Sequence, residues 1–130
     1  MTKYIGESFR IPYPKSKAGQ KQWSKEYSVN AYYAGKHWSV RKRDAQYWHR
    51  LVQIHMEEQG VRRVPFKRPV VVIFHWNDRL DIDNHAVMGK MIVDAMKGRV
   101  IEDDTRRWLK GVCHYFHDED FVGVEIREIS

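Results

Sequence analysis

Cysteine is almost missing from this chain. Cys113 is the only one in 130 residues, so no intrachain disulfide can staple the fold and no paired-cysteine zinc site can form. No apolar run approaches the roughly 18 residues that span a bilayer. The opening MTKYIGESFRIPYP lacks the apolar segment of a signal peptide. Repeats, low-complexity tracts and linkers are absent as well. What remains is the expectation of a soluble, cytoplasmic protein with no membrane partner, built as one domain over residues 1–130. A chain of this length buries a core without covalent staples. Its apolar fraction of 42%, with five Trp, seven Tyr and five Phe, excludes disorder.

Charge is present in quantity and unevenly placed. Residues 1–72 carry 15 Lys and Arg against 5 Asp and Glu, while residues 73–130 carry 8 against 12. The overall balance of +6 hides this division. A basic surface beside an acidic cluster suits a polyanion binder that also holds a cation. A solvated basic face with no partner is the alternative.

Hydrophobic periodicity gives a coarse layout. ESFRIP, residues 7–12, reads as a short strand with Phe9 and Ile11 on one face. The polar segment 12–27 reads as a mobile loop. From Ser39 to Gln59, Tyr47, Trp48, Leu51, Val52 and His55 recur at helical spacing, with Ser39 as cap and Gly60 as stop. Val70–Trp76 is a continuous β-branched and aromatic run, expected to be buried on both faces. A second helix follows, with Val87, Met88, Met91, Ile92 and Ala95 on one face, Lys90, Asp94 and Lys97 on the other, and Gly98 ending it. Two alternating segments, from Trp108 to Phe116 and from Phe121 to Ile129, flank the turn HDED and predict a C-terminal antiparallel hairpin. The expected fold class is α+β: a mixed sheet with two main helices.

LDIDNH, residues 80–85, then raises a chemical question, because two aspartates one residue apart repel unless something positive sits between them. If the backbone is extended there, Asp81 and Asp83 leave the same face about 7 Å apart. Asp103 and Asp104 follow the second helix and can return to the same end of the sheet. Carboxylates without His or Cys favour Mg²⁺ or Mn²⁺ over zinc. A calcium loop is excluded, since its sixth position is Ala86 rather than Gly and its twelfth is Ile92 rather than Glu. Cys113 and His114 are adjacent on a strand and point to opposite faces, so CHYFHDED is structural. His55 and His75 are read as structural too. Asp83 or Asn84 is expected to cap the following helix, and a purely structural role for all the acids stays open.

Taken together, D81-I-D83-N84, then K90-x3-D94-A95-M96, then V100-I101-E102-D103-D104, resemble the RusA-like family of Holliday-junction resolvases. S28-V29-N30-A31-Y32-Y33 resembles the family's segment before its first helix, and the likeness covers roughly residues 28–129. It implies a homodimeric, Mg²⁺-dependent endonuclease, typical of phages and prophages, that cuts four-way DNA junctions symmetrically. By motif position Asp81, Asp83 and Asp104 match the metal-binding acids and Lys90 the functional lysine. The gap from Asn84 to Lys90 is a few residues longer here than in the family pattern.

The basic half supplies the expected DNA contacts. Lys36, His37, Arg41, Lys42 and Arg43 cluster at a helix start, where backbone N–H groups also favour phosphate. Tyr32, Tyr33 and Trp38 are interleaved with them, either to stack on unpaired bases or to fill core or dimer interface. Asn30, in the family-like segment, joins this group. The competing reading is a non-catalytic DNA-binding protein of phage recombination or replication. Against it, negative charge beside a DNA surface weakens phosphate binding.

Overall fold

The computed structural model describes residues 5–129. The two ends of the expected 1–130 domain, residues 1–4 and 130, lie outside the described residues. The elements run β1 (Gly6–Pro12), α1 (Lys17–Tyr27), α2 (Val29–Tyr33), α3 (Trp38–Glu58), β2 (Val70–Trp76), a 3-10 turn (Ile82–His85), α4 (Ala86–Met96), β3 (Leu109–Phe116) and β4 (Phe121–Glu128). The α+β class with a mixed four-stranded sheet stands, in the order β1-β4-β2-β3.

β2 sits at the centre. Val70, Val72, Phe74 and Trp76 are buried, whereas Val71, Ile73 and His75 between them are only half-buried. The helices therefore cover one face, and the expectation of burial on both faces is corrected. α3 presents Trp48, Val52 and Met56 to the core, and α4 presents Met88, Ile92, Ala95 and Met96. Gly60 and Gly98 have φ of +66° and +81°, the left-handed conformation that lets each chain reversal follow a helix cheaply.

Three further expectations change. The segment 12–27 is no loop over most of its length. α1 is capped by Ser16, whose hydroxyl accepts from the Gly19 N–H at 3.0 Å. Trp23 and Tyr27, four residues apart, pack on Trp48 with ring centroids at 4.8 and 5.5 Å. With α1 and the short α2, the helices number four among the described residues, not two main ones. α3 begins at Trp38, and its cap is His37 rather than Ser39: the His37 Nδ1 accepts from the Ser39 N–H at 3.1 Å.

The C-terminal strands exist but form no hairpin. β3 pairs with β2 in parallel, and β4 pairs antiparallel with both β1 and β2. The four residues after Phe116 carry the chain across β2, a shift of about 9.6 Å that four extended residues can span. Burial explains the arrangement. β4 contributes Val122, Val124 and Ile126 and takes an interior position, whereas β3, with Lys110, Val112, Cys113, Tyr115 and Phe116 exposed, takes the edge.

Candidate nucleic-acid interface and acidic site

β2, the 3-10 turn, α4 and β3 form a parallel βαβ unit, and this topology places every candidate acid. Asp81 and Asp83 lie where the chain has left the C-terminal end of β2. Asp104 lies where it approaches the N-terminal end of β3. The register Val70↔Leu109 to Trp76↔Phe116 makes these opposite ends of one strand pair. α4, 11 residues and so about 16 Å long, runs between them. Asp103 and Asp104 thus approach the sheet from its other end, although Asp104 shares a cavity with Ala86 and Lys90 of α4 and His114 of β3. Among the described residues no group of three or more His, Cys, Asp or Glu is set to hold a metal ion.

The local geometry of the acid pair also differs from the extended reading. Asp81 is extended, but Asp83 already belongs to the 3-10 turn, so the two do not share a strand face. Neither Asp83 nor Asn84 caps α4, whose first residue follows His85 without a side-chain cap. Asn84 instead accepts from the Asn30 N–H at 3.1 Å, which ties α2 to the start of α4. Asp81 and Asp83 are exposed. Asp103 has a local role: its Oδ1 accepts from the Asp104 N–H at 2.9 Å.

Lys90 has company that the sequence reading missed. Its ammonium is 3.0 Å from Asp94 and 3.1 Å from Asp104, and Lys97 is 3.2 Å from Asp94 and 3.5 Å from Asp104. The four side chains form a closed ring of alternating charges. Hydrogen bonding to Asp94, and then to Asp104, raises the Lys90 pKa above the ordinary lysine value. The Lys90 hydrogen bond in turn lowers that of Asp104 below the usual aspartate range. Asp94 and Lys97 were legible only as polar helix positions, because a partner beyond the helix leaves no periodic signal.

The longer gap before Lys90 has a structural counterpart. The chain from Asp83 to Lys90 passes through the 3-10 turn and the start of α4. Asp83 and Lys90 make no hydrogen bond or ion pair with each other among the described residues, Lys90 pairing with Asp94 and Asp104 instead.

A groove of 410 Å³ connects Lys90 to the basic half. Tyr32, Tyr33 and Arg41 form one wall, and Val87 and Lys90 of α4 the other. Arg41 lies over the Tyr32 ring at 5.2 Å and donates to the Tyr32 carbonyl at 3.0 Å. The Tyr32 hydroxyl donates to Asp44 at 2.8 Å; burial, and then this bond, raise its pKa, so it stays a donor. Tyr33 and Trp38 are 85% and 70% exposed, which removes both from the core. Arg41, Lys42 and Arg43 are exposed on the first turns of α3.

Lys36 turns inward, contrary to its expected DNA contact. It pairs with the buried Asp44 at 2.5 Å, donates to the Glu26 carbonyl at 2.6 Å and sits over the Tyr27 and Tyr32 rings. A buried carboxylate needs a cation, and Lys36 supplies it. His37 is engaged at the α3 cap, while the Asn30 backbone N–H is engaged with Asn84.

The histidines of the region are structural. His85, fully buried, stacks on Trp76 at 4.5 Å; its Nε2 faces both Asp78 oxygens at 2.8 and 2.9 Å, and its Nδ1 faces the Ile82 carbonyl at 3.0 Å. The His114 Nδ1 accepts from the Trp76 Nε1–H at 3.0 Å. His75 pairs with Glu125 at 3.0 Å. No helix among the described residues is long and apolar enough to cross a membrane. The sequence matches no family model and no curated protein.

Proposed function

We propose that this chain is a structure-specific DNA endonuclease of RusA-like type that resolves four-way junctions by paired phosphodiester hydrolysis. One observation carries the reading: a single groove joins Tyr32, Tyr33 and Arg41 to Lys90, which touches Asp104. Aromatic faces and a guanidinium suit bases and backbone phosphates. Lys90 offers a point charge to the phosphate that gains negative charge as its P–O bond breaks. Arg41, Lys42 and Arg43 position the strand through phosphates. Two symmetric cuts need two sites, so the proposal includes a homodimer, acting in the cytoplasm of a phage- or prophage-bearing cell.

Mg²⁺, with Mn²⁺ as a substitute, belongs to the proposal as the ion the resemblance implies. All three candidate donors are carboxylates, which suit a hard cation, but Asp104 stands apart from Asp81 and Asp83. They do not fit one three-carboxylate cage within this chain, where no group of three such ligands is found among the described residues.

The test is a synthetic four-way junction with and without Mg²⁺. Paired nicks are expected only with the metal. Lys90→Ala should lower single-turnover cleavage about a hundredfold, the loss of about 3 kcal/mol of transition-state stabilisation, with junction affinity nearly unchanged. A wild type that binds junctions in Mg²⁺ or Mn²⁺ without cutting is the non-catalytic binder. Normal cleavage by the variant would reduce Lys90 to a partner of Asp94.

A further inference from the structure

A second cleft, of 600 Å³, lies between α1 and the loop that leaves β2. Lys17, Gln20, Lys21 and Ser24 line it from α1, and Arg79 lines it from the loop. Their spacing of three and four residues places the α1 members on one helix face, beside the buried Trp23, which also lines the cleft. Its volume is that of a site able to accept a ligand-sized unit.

The charges of this cleft are not matched internally. Lys17, Lys21 and Arg79 are exposed, and none of them joins an ion pair or side-chain hydrogen bond among the described residues. Two acids share the lining, Asp78 and Asp120. Asp78 is already occupied: His85 approaches both of its oxygens, the Leu80 N–H donates to Oδ1 at 3.0 Å, and the Tyr13 hydroxyl donates to Oδ2 at 3.3 Å. Lys17, Lys21 and Arg79 therefore share the lining with one further carboxylate, Asp120.

The position names the anion. Arg79 stands two residues before Asp81, and Met88 of α4 lines this cleft while Val87 and Lys90 line the groove. Along the chain, Asp81 and Asp83 stand between Arg79 of this cleft and Val87 of the groove. We infer that this cleft is a second phosphate-binding station, in which Lys17, Lys21 and Arg79 hold the backbone of the DNA strand that passes Asp81 and Asp83. The inference rests on the nuclease reading for its ligand. It makes α1, a segment that reads as a loop, part of the interface.

The experiment measures binding of a labelled four-way junction in chelator between about 50 and 200 mM salt, for the wild type and for Lys17→Ala/Lys21→Ala/Arg79→Ala. All three side chains are exposed and make no ion pair or side-chain hydrogen bond among the described residues, so the variant should melt like the wild type. Its log–log salt slope should be shallower by about 2–3, and its affinity at about 0.15 M salt should fall by tens of fold. Lys21→Glu alone should weaken binding further than Lys21→Ala. An unchanged slope and affinity would overturn the inference. A wild type that binds the junction but never cuts it sinks the nuclease reading, while the slopes still decide the cleft. A wild type that binds no DNA overturns both.

Discussion

Lys90 shows how a residue role read from spacing is qualified by its neighbours. Its place in the motif was legible, and so was Asp94 at the helical i+4 position. Its contact with Asp104 was not, because that contact joins α4 to the segment before β3, and only the fold brings them together. The contact makes a titration prediction. The Lys90 hydrogen bond is the leading cause that holds Asp104 below the ordinary aspartate value, with Lys97 adding to it. Unfolded, Asp104 binds its proton at the higher, ordinary value. Its favourable contribution is therefore present above that value and is lost as pH falls through the lower folded one. Lys90→Ala should move the Asp104 midpoint upward in a carboxyl-carbon NMR titration, leaving Lys97 to hold it partway. Both partners are accessible, so the stability change should stay within about 1 kcal/mol. An unmoved midpoint would show that Lys90 spends its time elsewhere in solution.

Elements were legible where they bury a periodic face, and illegible where they depend on few anchors or on the choice of neighbour. β1, β2, α3 and α4 fall close to their expected bounds because each carries a repeating apolar pattern. α1 has only Trp23 and Tyr27 in a polar run, so its composition resembles a loop although both residues are buried. β3 and β4 alternate as strands should, yet alternation does not say which strand lies beside which. The α1 correction is testable in its own right. Trp23 packs on Tyr13 and Trp48 at 5.9 and 4.8 Å between ring centroids. Trp23→Ala should cost about 3–5 kcal/mol in denaturant unfolding, by the cavity and lost transfer energy of a buried aromatic. Amide exchange in α1 should be protected in the wild type. A loss below about 1 kcal/mol with unprotected amides would return the segment to the loop that its composition suggests.

At the scale of the whole molecule, the division of charge along the sequence becomes a division of surfaces. The basic half supplies β1 and the helices α1, α2 and α3, and the acidic half supplies α4 and the strands that follow. Groove and basic helices meet at Tyr32 and Arg41, which is where the proposed DNA strand would lie. Not every cation of that half faces outward, however, and composition cannot tell which do. Arg41, Lys42 and Arg43 are exposed at the start of α3, whereas Lys36 neutralises the buried Asp44. Counter-ion release separates these roles, since only a cation that touches phosphate adds to the salt slope, at about 0.9 per contact on duplex arms. In chelator, Arg41→Ala/Lys42→Ala/Arg43→Ala should lower the slope for a four-way junction by about 2–3 without altering thermal stability. Lys36→Ala should do the reverse. It should leave the slope unchanged and destabilise the fold by about 3–5 kcal/mol, because it strands a buried carboxylate. A flat response from the α3 triple variant would remove that helix from the interface. A reduced slope in a fully stable Lys36→Ala protein would mean that Lys36 leaves Asp44 to meet phosphate.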